Sequence, residues 1–236
     1  VAASRLDTRE RNGNMLSANG FFDISFLKDF KFTFNATTML REYRSTSIRN
    51  PYYGQFASVN GTITKSHYRR FTLDLQQLLT YDKTIEKHHV NVMLGHQYYD
   101  NKYYYLGGSK GNLFSPNNKE LAGAAVDRQG ANSYFRDYNN EGFFGRAQYD
   151  YAGKYLAEFS FRRDGSSKYL GDNVWGFFPG GLIGWRISEE NFIKNTEFFS
   201  FVNNLKIRAS YGLTGDDSGG NYQWASGYDY PGGVLY

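Results

Sequence analysis

From Phe30 to Leu40, apolar and polar side chains alternate almost without a break. Phe30, Phe32, Phe34, Ala36 and Leu40 fall on one side, and Lys31, Thr33, Asn35, Thr37 and Arg41 on the other. Successive side chains on a strand point to opposite faces, so this stretch is a strand with one apolar and one polar face. The apolar side is heavily aromatic, and the same beat returns along the chain. A chain built of such segments is all-β, and its two sheet faces must meet different surroundings.

Eight strands are predicted, at residues 18–27, 30–41, 70–81, 89–98, 143–151, 155–163, 181–187 and 205–211. In the third, Phe71, Leu73 and Leu75 oppose Thr72, Asp74 and Gln76; in the sixth, Phe159 and Phe161 oppose Glu158, Ser160 and Arg162. Connections are short after the first, third and fifth strands. They are long after the second (42–59), the fourth (99–141) and the sixth. Aromatic-faced strands joined by alternately short and long connections are the pattern of a transmembrane antiparallel β-barrel with short periplasmic turns and long external loops. Between the seventh and eighth strands, Ser188 before Glu189, Glu190, Phe192 and Ile193 reads as an N-capped helical turn.

Composition bears on this reading in three ways. The mean hydropathy of −0.62 averages a lipid face with a wet face, and no run reaches the ~18 apolar residues of a membrane helix. Only helices and closed barrels satisfy their backbone in lipid, so a membrane role here means a barrel. The 236 residues hold no cysteine, which excludes disulfides, iron–sulfur clusters and thiolate zinc sites. A scattered net charge of +4 with no basic stripe argues against nucleic acid. Val1 opens no signal peptide. Long polar residues such as Lys31, Arg41, Gln76, Arg162 and Arg208 suit the roomy lumen of a large barrel better than that of a closed eight-stranded one.

Further motifs are familiar as a set. They are Phe143-Phe144-Gly145-Arg146, Lys154-Tyr155-Leu156, Phe161-Arg162-Arg163-Asp164-Gly165-Ser166-Ser167, Trp175-Gly176-Phe177-Phe178-Pro179, Gly184-Trp185-Arg186-Ile187-Ser188-Glu189-Glu190 and Leu205-Lys206-Ile207-Arg208-Ala209-Ser210-Tyr211-Gly212. Together they resemble the barrel of SusC/RagA-type TonB-dependent transporters, densely over 143–217 and more loosely over 71–98. The resemblance implies a Bacteroidetes-type outer-membrane importer of oligosaccharides or peptides. Its barrel would have roughly 22 strands, with an internal plug, a SusD-like surface lipoprotein lid and energy from the TonB system. Residues 1–236 then read as part of the barrel domain, with no plug, TonB-contacting segment or family-style C-terminal strand visible.

Candidate binding residues are aromatic. Tyr103, Tyr104 and Tyr105 at the edge of a long loop, and Trp224, Tyr228 and Tyr230 in the last one, straddle apolar and wet phases as belt residues do. The same rings stack on sugars. Glu86, His88, His89 and His96 lie on a turn and a strand and read as solvated rather than as a metal site, and 216–221 lacks the spacing of a calcium loop. Arg69-Arg70 and Arg162-Arg163 read as solvated strand ends rather than as contacts for lipopolysaccharide phosphates at the rim. No nucleophile elbow, paired carboxylates or cofactor motif appears, so neither an enzyme nor a cofactor is expected. The rival reading is a soluble carbohydrate-binding or adhesive β-sandwich, in which the aromatic faces pack as a core between two sheets.

Overall fold

The computed structural model describes residues 6–125, 129–196, 198 and 201–220. Eight strands form one sheet in chain order: β1 (Thr8–Phe26), β2 (Phe30–Arg49), β3 (Thr62–Ile85), β4 (His88–Gly111), β5 (Gln129–Tyr151), β6 (Tyr155–Ser166), β7 (Trp175–Arg186) and β8 (Lys206–Gly212). Among the described residues β1 and β8 each pair on one side only. Among the described residues all eight strands lie in one sheet, where the sandwich reading expects two packed face to face. No described helix is long and apolar enough to cross a membrane, which says nothing of crossing by strands.

The strands are longer than the alternation predicts. Residues 42–49 belong to β2, and much of 99–141 belongs to β4 and β5. Likewise β1 begins at Thr8, β3 at Thr62 and β7 at Trp175, while β6 runs to Ser166. Alternation marks a strand only where its faces differ in polarity. In Ser45-Thr46-Ser47 or Asn101-Lys102-Tyr103 that contrast is gone although the ladder continues.

Tight turns close the hairpins at 27–29, 86–87 and 152–154. Leu27 and Lys28 both have positive φ (49° and 61°), as do Ala152 and Gly153 (55° and 70°). Turns of that hand match the twist of the flanking strands. Leu27 takes it against its preference, at about 1–2 kcal/mol.

The predicted helical turn exists but starts later. A 3-10 turn at Ile187–Glu189 precedes a short helix, α1 (Asn191–Lys194), whose N-cap is Glu190, not Ser188. The Ser188 N–H donates to the Leu205 carbonyl instead.

Two compact units can be described separately. Unit 1 comprises Val1–Asn19, Thr37–Leu73 and Asp100–Asp137; unit 2 comprises Gly20–Ala36, Asp74–Tyr99 and Tyr138–Tyr236. Unit 1 holds a small true core, in which Ile48, fully buried Ile63, Leu113 and Ala124 pack together with Leu121 alongside.

In unit 2 the sequence alternation is realised in three dimensions. The β5–β6–β7–β8 register sets Ala147 against Phe159, Ala157 against Ile183 and Ile183 against Ala209 on one face. Gln148 and Glu158 pair on the other. Lys206 and Ile207 take opposite sides, beside Arg186 and Trp185. On the polar face Asp23 holds Lys31 at 3.0 Å and Thr33 at 2.6 Å, and Asn35 donates to Gln76. On the apolar face Phe22 packs on Phe32 and Phe34, and Phe30 on Tyr81. That face is open: Phe159 is 55% and Ile183 67% exposed.

Candidate functional site

Tyr103, Tyr104 and Tyr105 lie on strand β4, not at a loop edge. Extended backbone separates them: Tyr104 packs on Phe135 at 4.6 Å, while Tyr103 and Tyr105 share the opposite face. There they join tyrosines from three more strands. Tyr43 of β2 stacks on Tyr68 of β3 at 4.5 Å and 19°, and Tyr68 meets Tyr105 at 4.8 Å and Tyr103 at 6.2 Å. Tyr134 of β5 closes the row, 4.9 Å from Tyr105 and 5.9 Å from Tyr103. Rings that tilt and offset at such separations attract one another beyond their area burial. Tyr105 also lies across Gly107, where its phenol leaves no room for a Cβ.

Cations sit on this row. The Arg11 guanidinium lies 4.8 Å over Tyr43, Arg70 5.5 Å over Tyr103 and Arg136 4.8 Å over Tyr134. Among the described residues none of the three makes an ion pair. Five of the six described acids of unit 1 are engaged elsewhere: Glu10 by Lys119, Glu42 by His67, Asp100 by Lys102, Glu120 by Lys65 and Asp7 by Arg49. The sixth, Asp137, falls by alternation on the face of β5 opposite Tyr134 and Arg136. Alternation puts Glu10 and Glu42 on the face opposite Arg11 and Tyr43. The aromatic face is therefore cationic. Burial, then the hydrogen bond and charge of Tyr134, push the Tyr103 phenol well above its ordinary range, and burial does the same for Tyr105. Both phenols stay neutral and keep their O–H donors.

In unit 2 the polar face is braced rather than open. Gln97 donates to Asp74 at 3.1 Å and accepts from Arg162 at 3.2 Å, and Arg162 reaches Asp164 at 2.7 Å. Arg162 also lies over Phe144, whose ring covers Gly95 so closely that a Cβ there would clash. Tyr138 donates to Asp217 at 2.5 Å. At the other end of β6 and β7, the Glu190 carboxylate gathers Lys154, Tyr155 and the Trp185 indole at 2.9, 2.7 and 3.1 Å. Those donors hold its carboxyl down at about 2, Lys154 contributing most.

The histidines do not converge: His88 meets Tyr149, His89 meets Asp82, and His96 lies between Gln77 and Glu141. In 216–221, Asp216 caps its own turn at Ser218. Trp224, Tyr228 and Tyr230 lie outside the described residues. Tyr43, Tyr68, Tyr134 and their arginines escaped the sequence reading, because only strand register brings them to Tyr103. Arg69 and Arg70, read as a pair, point to opposite faces of β3 by strand alternation.

No family model matches the chain. It is 32% identical over 222 residues to TonB-dependent receptor P3 of Formosa agariphila, covering 91% of this chain and 21% of that protein. It is 29% identical over 225 residues to TonB-dependent receptor SusC of Bacteroides thetaiotaomicron, covering 94% of this chain and 21% of the receptor. The chain thus spans about a fifth of the length of these relatives. In structure it superposes on the RagAB peptide transporter with a TM-score of 0.82 at 23% identity, over 93% of this chain and 24% of that one. Its TM-score against the RagAB peptide importer in the closed-closed state is 0.77.

Proposed function

We infer that this chain, a stretch of SusC/RagA-like TonB-dependent receptor barrel by sequence and fold, forms part of the wall of an outer-membrane nutrient importer. One observation carries the reading most. Among the described residues a single antiparallel meander leaves an aromatic face uncovered along β5–β8 while its other face carries a braced polar network. Such a sheet suits lipid on one side and a wet lumen on the other. Sequence similarity to receptors named as TonB-dependent over nine-tenths of the chain supports the same assignment.

The wall encloses the lumen, and unit 1 presents its tyrosine face to substrate at the external end. Import of an oligosaccharide or peptide would involve a plug, a TonB-linked energy supply and a SusD-like lipoprotein lid contributed by other parts of the assembly. No bond chemistry is assigned to these residues. The test is the whole receptor carrying this chain, extracted from outer membranes in detergent. A barrel migrates faster on gels before heating than after. Extraction without detergent, with no heat-dependent shift, overturns the assignment.

A further inference from the structure

We propose that the tyrosine–arginine face of unit 1 binds an anionic oligosaccharide, one bearing uronate or sulfate groups. The proposal rests on the importer reading and names the substrate class of its aromatic site. Three features of the face lead to it.

The first is charge. Arg11, Arg70 and Arg136 are exposed, make no ion pair among the described residues, and each sets its guanidinium carbon 4.8–5.5 Å from a ring centroid. A guanidinium stacked on an aromatic face keeps its in-plane N–H groups free, and that fork matches carboxylate or sulfate oxygens. Five of the unit's six described acids pair with Lys119, His67, Lys102, Lys65 and Arg49, and the sixth, Asp137, alternates to the face away from Arg136. Among the described residues an anion therefore meets no unpaired carboxylate on the face of those three arginines.

Spacing is the second. The cations come from β1, β3 and β5, and the rings from β2 to β5. At about 4.8 Å between strands, the row runs roughly 19 Å across the sheet. A flexible chain with charges repeated along it can lie over that row and meet a ring or cation at each strand.

The third is the chemistry between the cations. Ser45, Ser47, Thr64 and Ser66 share the face of Tyr43 and Tyr68 by alternation, and the phenols of Tyr103 and Tyr105 stay protonated. Hydroxyls both donate and accept, as sugar hydroxyls do, and the rings suit a sugar's apolar face. An acidic peptide would use the cations but has less need of this hydroxyl-rich surround.

The test uses the whole receptor, purified in detergent, with calorimetry against three probes: oligogalacturonate, maltoheptaose and an oligoglutamate peptide. Oligogalacturonate should bind, weaken with added salt, and weaken tenfold or more in the double variant Arg70→Gln, Arg136→Gln. The double variant Arg70→Lys, Arg136→Lys, which keeps charge but not the fork, should recover part of that loss. Lys194→Gln, on the short helix of unit 2, should change nothing. Equal binding of maltoheptaose, preference for oligoglutamate, no binding of any probe, or insensitivity to the arginine variants would each overturn the proposal. The heat-modifiable gel band, recorded for every variant, reports the barrel separately. A lost band with binding intact sinks the importer reading, and an intact band with no anion binding sinks this one.

Discussion

The two units differ in where their apolar side chains go. Unit 1 turns Ile48, Ile63, Leu113 and Ala124 inward against one another and is held partly as a small soluble domain is. Unit 2 buries little apart from Ile193 and leaves Phe159, Phe177, Ile183 and Ile207 more than half exposed. Water would penalise that second arrangement, at about 25 cal/mol for each Å² of apolar surface it touches. Lipid removes the penalty. Unit 1 leaves Leu16, Leu106 and Phe114 more than half exposed as well, so what separates the two regions is a packed apolar cluster in one and the lack of it among the described residues of the other.

The sharpest break in that comparison is Ile63→Ala. The residue is fully buried, so the change should cost about 2–5 kcal/mol. Faster amide exchange should appear in the unit 1 portions of β2 and β3 and spare β6 and β7. Ile183→Ala, at an open position, should do far less; equal effects would erase the distinction between the units.

Next in size is Phe159→Arg, expected to cost roughly 2–4 kcal/mol if it sits near the bilayer midplane. Ser160→Arg, on the polar face, should be tolerated. The fraction of receptor with a heat-modifiable band measures both, and equal losses would show that the aromatic face does not meet lipid.

Acid should act more locally. The Glu190 carboxyl is depressed to about 2 from an ordinary 4.5. Its contribution is full above about 4.5 and is lost as pH falls toward 2. Protease nicking of the 187–205 connection should therefore rise over that window, and Glu190→Gln should flatten the rise. Asp7, also held near 2 by the Asn50 amides and Arg49, predicts the same sign for unit 1. The smallest effect belongs to Arg163→Gln, which removes the cation over Trp175 and should cost about 0.5–1 kcal/mol by denaturant midpoint.

Legibility in the sequence follows the same division. Unit 2 is readable because its two sheet faces differ in polarity, so Phe32, Phe159, Ile207 and their polar neighbours declare their faces one residue at a time. In unit 1 both faces are polar or aromatic, so 42–49 and 99–111 read as loops although they are strands. The tyrosine row depends on register over strands as long as Thr62–Ile85 and His88–Gly111. No local pattern encodes which residue of one lies beside which residue of the other. The shift of the cap from Ser188 to Glu190 has a similar origin: the serine N–H is claimed by Leu205, a partner distant in sequence.

Every strand in this sheet has its chain neighbours as its sheet neighbours, and that has a kinetic consequence. Three of the strand pairs are closed by tight turns, so the loop-closure entropy of those hairpins is modest. Turns at 27–29, 86–87 and 152–154 can form their hairpins in about 1–10 μs. Each later strand then docks on a single exposed edge, the one finished just before it, and that edge is also where a foreign strand would pair. Pulse-labelled exchange should show protection arriving hairpin by hairpin. A defect at one tight turn would delay not only the pair it joins but the docking of the strands that follow.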